Sequence, residues 1–232
     1  MVYITGDTHG DFDRFIPFSV KMKPTKNDVM IVLGDAGINY YKGKRDMKVK
    51  SFVNSFPFVT FCIHGNHEIR PEDIPSYKIK EYRGGIVWYE EEFPNILFAK
   101  DGEVYDFDGY QTMVIGGAYS VDKHYRLANG WSWFSTEQPS EAIKQYVEAQ
   151  LGKHKNKVDI ILSHTCPKKY EPTEVFLAGL DQTLVDKTTE EWLDSIEQVV
   201  DYKKWYCGHF HTVKKVDKMQ FMFENFDVLS LK

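Results

Sequence analysis

The sequence predicts an α/β fold (α+β mixed) built on mixed sheets. Three observations carry that reading. Short apolar runs rich in β-branched residues recur along the chain, helical stretches separate them, and a hairpin-like middle and an extended tail add antiparallel strands. The first run is 2–4, followed by a helix from near Asp11. Runs 29–33 and 59–63 flank a second helix over 46–56. Residues 100–109 read as a hairpin with Asp101-Gly102 at its turn. After the run 112–115, a helix follows Pro139-Ser140 and ends near Gly152, where glycine suits a helix C-terminus. The run 159–162 precedes a helix opened by Thr188-Thr189-Glu190-Glu191, which has the Ser/Thr-x-x-Glu form of a capping box. Run 205–207 and an extended stretch over 219–231 complete the chain.

With 232 residues, 42% of them hydrophobic, the chain is expected to form a single domain, 1–232, around a sizeable core. It has no internal repeat, low-complexity tract or Pro/Ser-rich linker. The formal net charge of −5 disfavours long nucleic acid as a partner, because such binding rests on neutralising phosphates with Lys and Arg. Cys62, Cys166 and Cys207 are odd in number and widely spaced, which fits free thiols in a reducing compartment. No long uncharged apolar run is present to span a membrane. Met1-Val2-Tyr3-Ile4 runs straight into Thr5-Gly6-Asp7-Thr8-His9, with no basic region, apolar stretch and cleavage site ahead of it. The expected location is cytoplasmic.

Five apolar runs end in loops that carry metal-binding residue types. They are Gly6-Asp7-Thr8-His9-Gly10, Gly34-Asp35, Gly65-Asn66-His67-Glu68, Ser163-His164-Thr165 and Gly208-His209-Phe210-His211. Ligand sites in open α/β sheets lie just outside the carboxyl ends of strands, so five distant loops converge if these runs are parallel. Each block alone has a plain reading. Asp35 could cap a helix, Gly65-Asn66-His67 could be a turn, and His164 could be a hydrogen-bonded core histidine. Five in order, each at a strand end, point to carboxylates, imidazoles and an amide oxygen gathered around divalent ions. One Asp bridging two cations sets them ~3.5–4 Å apart and lets them activate water near neutral pH. Two dications against the charges of Asp7 and Asp35 leave a surplus of about two positive charges, which attracts a phosphate dianion.

These blocks resemble those of the calcineurin-like metallophosphoesterases: D-x-H, G-D, G-N-H-[DE], H and G-H-x-H, spanning Asp7 to His211. The resemblance implies a four-layer αββα sandwich with a dinuclear metal site at the strand C-terminal rim. It implies that Asp7, His9, Asp35 and His211 hold one metal ion, and that Asp35, Asn66, His164 and His209 hold the other, with Asp35 bridging. His67 would act on the leaving group, so Asp35 and His67 are the expected catalytic residues. The expected cofactors are two divalent ions, manganese first, with Fe, Zn, Ni or Mg as alternatives. The phosphoprotein phosphatase branch carries arginines after the G-D block and before G-N-H, and here Ala36 to Tyr40 contain none and His64 stands at the second position. The expected substrate is therefore a small phosphorylated metabolite or nucleotide. Blocks Gly116-Gly117-Ala118-Tyr119-Ser120-Val121-Asp122 and Ser163-His164-Thr165-Cys166-Pro167 resemble bacterial and phage members.

Two rival functions remain: a nuclease or cyclic-nucleotide phosphodiesterase, and a metallophosphoesterase-like scaffold that no longer hydrolyses. Retention of every expected ligand and of His67 weighs against the scaffold. Segment 119–134 reads either as an Ω-loop packed by its own aromatics or as a wall over the metals. On the second reading Trp131 and Trp133 stack on a base, and Arg126 grips phosphate through its planar fork. His64 reads as structural, Cys207 as core, and His124 and His154 as solvated.

Overall fold

The computed structural model describes residues 1–231. Its strands and helices follow in the order β1 (Val2–Thr5), α1 (Phe15–Met22), β2 (Val29–Val32), α2 (Lys44–Asn54), β3 (Val59–Cys62), β4 (Lys78–Tyr82), β5 (Gly85–Tyr89), β6 (Ile96–Ala99), β7 (Val104–Phe107) and β8 (Tyr110–Ile115). Then come α3 (Lys123–Ala128), α4 (Glu141–Lys153), β9 (Ile160–Ser163), α5 (Thr188–Val199), β10 (Lys204–Cys207), β11 (Lys214–Val216), β12 (Met219–Phe221) and β13 (Phe226–Val228). Two mixed sheets result, ordered β13-β1-β2-β3-β6-β5-β4 and β11-β12-β10-β9-β8-β7. Within them β1-β2-β3-β6 and β12-β10-β9-β8 are parallel, and the flanking strands pair antiparallel.

The alternation of side chains explains why the central strands are apolar on both faces. Val2, Ile4, Val29, Ile31, Val114, Ile160, Leu162 and Tyr206 share one core between the sheets. Their neighbours Tyr3, Met30 and Val32 point outward onto Phe15 and Phe18 of α1 and Val53 of α2. On the other side Ile161, Trp205 and Cys207 pack with Val147 and Leu151 of α4 and Leu193 and Ile196 of α5. The expected four-layer αββα sandwich is the architecture observed. No helix among the described residues is long and apolar enough to cross a membrane.

Two local expectations are corrected. Residues 100–109 do not form a hairpin about Asp101-Gly102, because β6 and β7 belong to different sheets. Asp101 is instead buried where the chain passes between sheets, taking Arg70 Nη1 at 2.6 Å and the Gly116 N–H at 2.6 Å. The hairpin is β7-β8, and its turn is the second Asp-Gly pair, Asp108-Gly109, with φ of 56° and 88°. At the start of α5 the capping box does not form. Asp186 Oδ1 accepts the Thr188 N–H at 3.0 Å, Thr188 and Thr189 hydroxyls turn to Gln138, and Glu191 pairs with Lys168. Ser140 does cap α4, accepting the Ile143 N–H at 3.3 Å.

The two Asp-Gly pairs should respond in opposite ways. Asp101→Ala strands the buried Arg70 guanidinium and is expected to cost about 3–5 kcal/mol of unfolding free energy. Asp108→Gly, in an exposed turn that already has positive φ, should stay within about 0.5 kcal/mol. Urea unfolding followed by circular dichroism measures both, and equal costs would contradict the assignment.

Candidate metal centre

All five loops leave the C-terminal ends of parallel strands: β1, β2 and β3 in one sheet, β9 and β10 in the other. They meet where the rims of the two sheets face each other. The Gly208 and Gly34 positions show how tightly. A Cβ on Gly208 would lie 2.4 Å from Asp7 Oδ1, and one on Gly34, where φ is +89°, would lie 2.1 Å from the His164 ring. His9, Asp35, His209 and His211 themselves adopt left-handed backbone, with φ of 49°, 45°, 66° and 48°. Such conformations cost roughly 1–3 kcal/mol each and persist where surrounding contacts enforce them.

Those contacts begin with two buried carboxylates. Asp7 Oδ1 accepts the His209 N–H at 2.9 Å, and Asp35 Oδ1 accepts the His67 N–H at 2.8 Å. Three residue groups have ligand atoms close enough to share an ion: Asp7, His9 and His211; His9, Asp35 and His67; Asp7, Asp35 and His164. Nε2 of His9 and Nε2 of His211 lie 2.9 Å apart, and stand 3.8 and 3.4 Å from Asp7 Oδ2. On the other side, Asn66 Oδ1 lies 2.8 Å from His164 Nε2 and 3.1 Å from His209 Nδ1, while His164 Nε2 is 3.5 Å from Asp35 Oδ1. His164 Nδ1 lies 2.8 Å from the Leu33 carbonyl, so it carries the proton there and leaves Nε2 with its lone pair. Asn66 is oriented in turn by its Nδ2, which donates to Ser120 Oγ at 2.9 Å.

This donor set fits divalent ions. Two imidazole nitrogens converge beside a carboxylate oxygen, Asp7 Oδ2, that is buried and has no hydrogen-bond partner among the described residues. Mixed imidazole, carboxylate and amide ligands suit first-row ions of intermediate softness. The electrostatics are prepared for charge. Burial alone would raise the Asp7 carboxyl, but the His211 imidazole, with His164 and His9, holds it below the usual range. Asp35 is held far down against its burial by His67, His164 and His9. Burial, reinforced by His164, pushes His209 down to about 3, so it stays neutral and able to coordinate. The pKa of His211 is raised by Asp7.

The family profile of the calcineurin-like phosphoesterases matches residues 1–213. The chain belongs to that family. Calcineurin-like phosphoesterases imply a dinuclear divalent site and hydrolysis of phosphoester bonds, and the Asp/His groups above supply ligands for it. Among solved structures, that of TT1561 from Thermus thermophilus is similar in fold. It is 11% identical, with a TM-score of 0.53, and the alignment covers 100% of this chain and 98% of that one. A second aligns at 12% identity over 95% of this chain and 88% of its own, but its TM-score of 0.47 is too low to argue from. A search of curated sequences finds no match.

Of the substrate residues read from the sequence, Arg126 touches His67, but it is buried and, like Trp131 and Trp133, does not border the cavity at the centre. It is buried on α3, paired with Asp122 at 2.9 Å, and its Nη2 meets His67 Nε2. Burial lowers the pKa of His67, with Asp35 opposing and Arg126 assisting. Trp131 is exposed against Tyr125, and Trp133 sits beneath Lys123 Nζ. Neither tryptophan lines the cavity at the centre, whereas Tyr119, Val121 and Asp122 of the same segment do. His64 is buried and borders a separate cavity of about 200 Å³, and the three cysteines are free and buried. Sequence reasoning missed the opposite wall: Glu171, Val175, Phe176, Leu177, Leu180, Val185 and Glu190. No motif marks it.

Two outcomes follow from this geometry. Asp35 belongs to two of the three ligand groups, so Asp35→Asn should strip metal from the protein, as read by elemental analysis after purification in manganese, and full metal content would exclude a bridging role. Glu190 is the pH-sensitive element. Burial pushes its carboxyl from 4.5 up to about 7. The unfolded chain then ionises first, so stability is full below pH 4.5, falls as pH rises, and levels off above pH 7. At ~1.4 kcal/mol per pH unit, Glu190→Gln should gain about 3 kcal/mol on the parent between pH 4.5 and 8 in metal-free urea unfolding. A constant difference across that range would refute it.

Proposed function

We propose that this protein is a dinuclear-metal phosphoesterase acting on a small phosphorylated metabolite or nucleotide. The observation that carries this reading is a cavity of about 480 Å³ with His9, Asp35, Asn66, His67, His209 and His211 at one end and a mixed wall of apolar and polar side chains at the other. That volume suits a small molecule, and the net charge of −5 weighs against long nucleic acid. Asp7, His9, Asp35 and His211 would hold one cation, and Asp35, Asn66, His164 and His209 the other, with manganese the first choice. Such cations offset phosphate charge and acidify water. We place the protein in the cytoplasm, where buried thiols such as Cys62, Cys166 and Cys207 persist unpaired.

The chain's own residues do the rest. His67 borders the cavity and would deliver a proton to the leaving oxygen. Its backbone N–H is tied to Asp35, so ring position follows metal position. Arg126, held by Asp122 and the Ser132 carbonyl, lies buried behind His67 and would bind phosphate oxygens only after its Nη2 leaves the His67 ring. The absence of arginine between Ala36 and Tyr40 argues for substrates other than phosphoproteins.

The test separates these roles. His67→Ala should retain metal and lose about 10²–10⁴-fold in kcat on alkyl or nucleoside phosphates, with a much smaller loss on p-nitrophenyl phosphate, whose leaving group needs little protonation. Arg126→Ala should raise KM at normal metal content. Equal losses on both ester classes would remove His67 as the proton donor. A metal-loaded protein inert on every mono- and diester would sink the enzyme reading.

A further inference from the structure

The wall of the cavity remote from the metal ligands carries information about what is bound there. Residues 171–187 form an arch closed at its base by Lys187 Nζ and Glu171 Oε2, 2.7 Å apart and both largely buried. Glu174 pairs with Lys214 of β11 and ties the flank of the arch to the second sheet. Val175, Phe176, Leu177, Leu180 and Val185 of the arch border the cavity, yet Val175 and Leu177 remain 39% and 64% exposed. Apolar surface gathered around a cavity and left to water is the mark of a ligand-covered face. Three aromatic rings border the cavity: Tyr119, Phe176 and Phe210. The Phe176 and Phe210 rings lie 18° from parallel with centroids 6.3 Å apart, and Phe210 sits between His209 and His211. The apolar wall therefore begins beside the imidazoles.

Polar groups also border the cavity here: Glu171 and Lys187, which pair with each other, Gln182, Asp186 and Glu190. Glu190, in the first turn of α5, borders the cavity and is 5% exposed. Its Oε1 accepts the Thr165 hydroxyl at 2.7 Å, while Oε2 is buried without a hydrogen-bond partner among the described residues. An unpaired buried carboxyl oxygen is costly, and a ligand N–H or O–H would satisfy it.

Resting on the phosphoesterase reading above, we infer that the leaving group of the substrate is a flat, largely apolar ring system with a hydrogen-bond donor, packed against Phe176 and its arch and read by Glu190. A simple alkyl chain fills apolar space but offers nothing to Glu190 and loses rotamer freedom on binding. A polyol offers donors but leaves the arch uncovered. A nucleoside meets both demands.

The experiment uses the full chain loaded with manganese and four ester types: nucleoside 5′-monophosphates, 1-naphthyl phosphate (a flat ring with no donor), octyl phosphate and glycerol 3-phosphate. At least one nucleotide should exceed octyl phosphate and glycerol 3-phosphate in kcat/KM by about tenfold or more, the scale of one stacked ring. Phe176→Ala, in the arch, should lower the ratio of 1-naphthyl to glycerol phosphate by about tenfold. Glu190→Gln should lower the ratio of nucleotide to 1-naphthyl phosphate. Ratios that do not move in either variant, or octyl or glycerol phosphate equalling every nucleotide, overturn the inference. Calorimetric titration with free nucleosides keeps the two readings apart. Nucleoside binding that weakens in Phe176→Ala, without hydrolysis of any ester, would retain the ring site and reject the phosphoesterase. Ester hydrolysis with no nucleoside binding and unmoved ratios would do the reverse.

Discussion

Two carboxylates with no room to repel each other organise this molecule. Asp7 and Asp35 are buried at adjacent strand ends, and each spends one oxygen on a backbone N–H from a distant loop. The bond from His209 to Asp7 joins the two sheets at their rim, and His164 repeats that link through the Leu33 carbonyl. Burying two like charges is unfavourable unless positive charge is close. The surrounding imidazoles lower both carboxyls in part, and the divalent ions that the family implies would supply the rest. The tight glycines and left-handed residues are consequences, since only a sharply turned backbone brings five loops together around two anions.

That arrangement places the demanding backbone on loops and leaves the strands conventional. β1, β2, β9 and β10 are four-residue segments buried on both faces, each contributing to the inter-sheet core and to a helix-covered face. Rigidity of the rim thus comes from packing on three layers of side chains, none of which touches a ligand atom's chemistry. The folding energy lies in the sandwich, and the strained ends are carried by it.

The central strands were legible because two-sided burial writes continuous β-branched runs, as in 29–32 and 160–163. That the seven Asp, Asn and His positions come together was legible as well, because each stands in a short block just past such a run. Turn chemistry was less informative. Asp-Gly occurs at 101–102 and at 108–109, and both pairs satisfy the same local preference. Only the ion pair from Asp101 to Arg70, 31 residues earlier in the chain, decides which pair turns the hairpin. The β4-β5 hairpin escaped notice because Lys78–Tyr82 is mostly polar and exposed, with its turn at Arg83-Gly84. Glu190, an unassigned interior position of the expected capping box, borders the cavity, held there by Thr165 from across the fold. The arch has neither helical nor strand periodicity, so nothing local announced it.

The arch is fastened by its own ion pair, Glu171 with Lys187, and none of its residues belongs to the Asp/His groups at the strand ends. Substitutions within it therefore leave those groups in place. A lineage carrying this scaffold is free to exchange one clientele for another by drift in a dozen loop positions, while purifying selection guards the inorganic heart. Divergence in what such relatives consume should accumulate far faster than divergence in how they consume it.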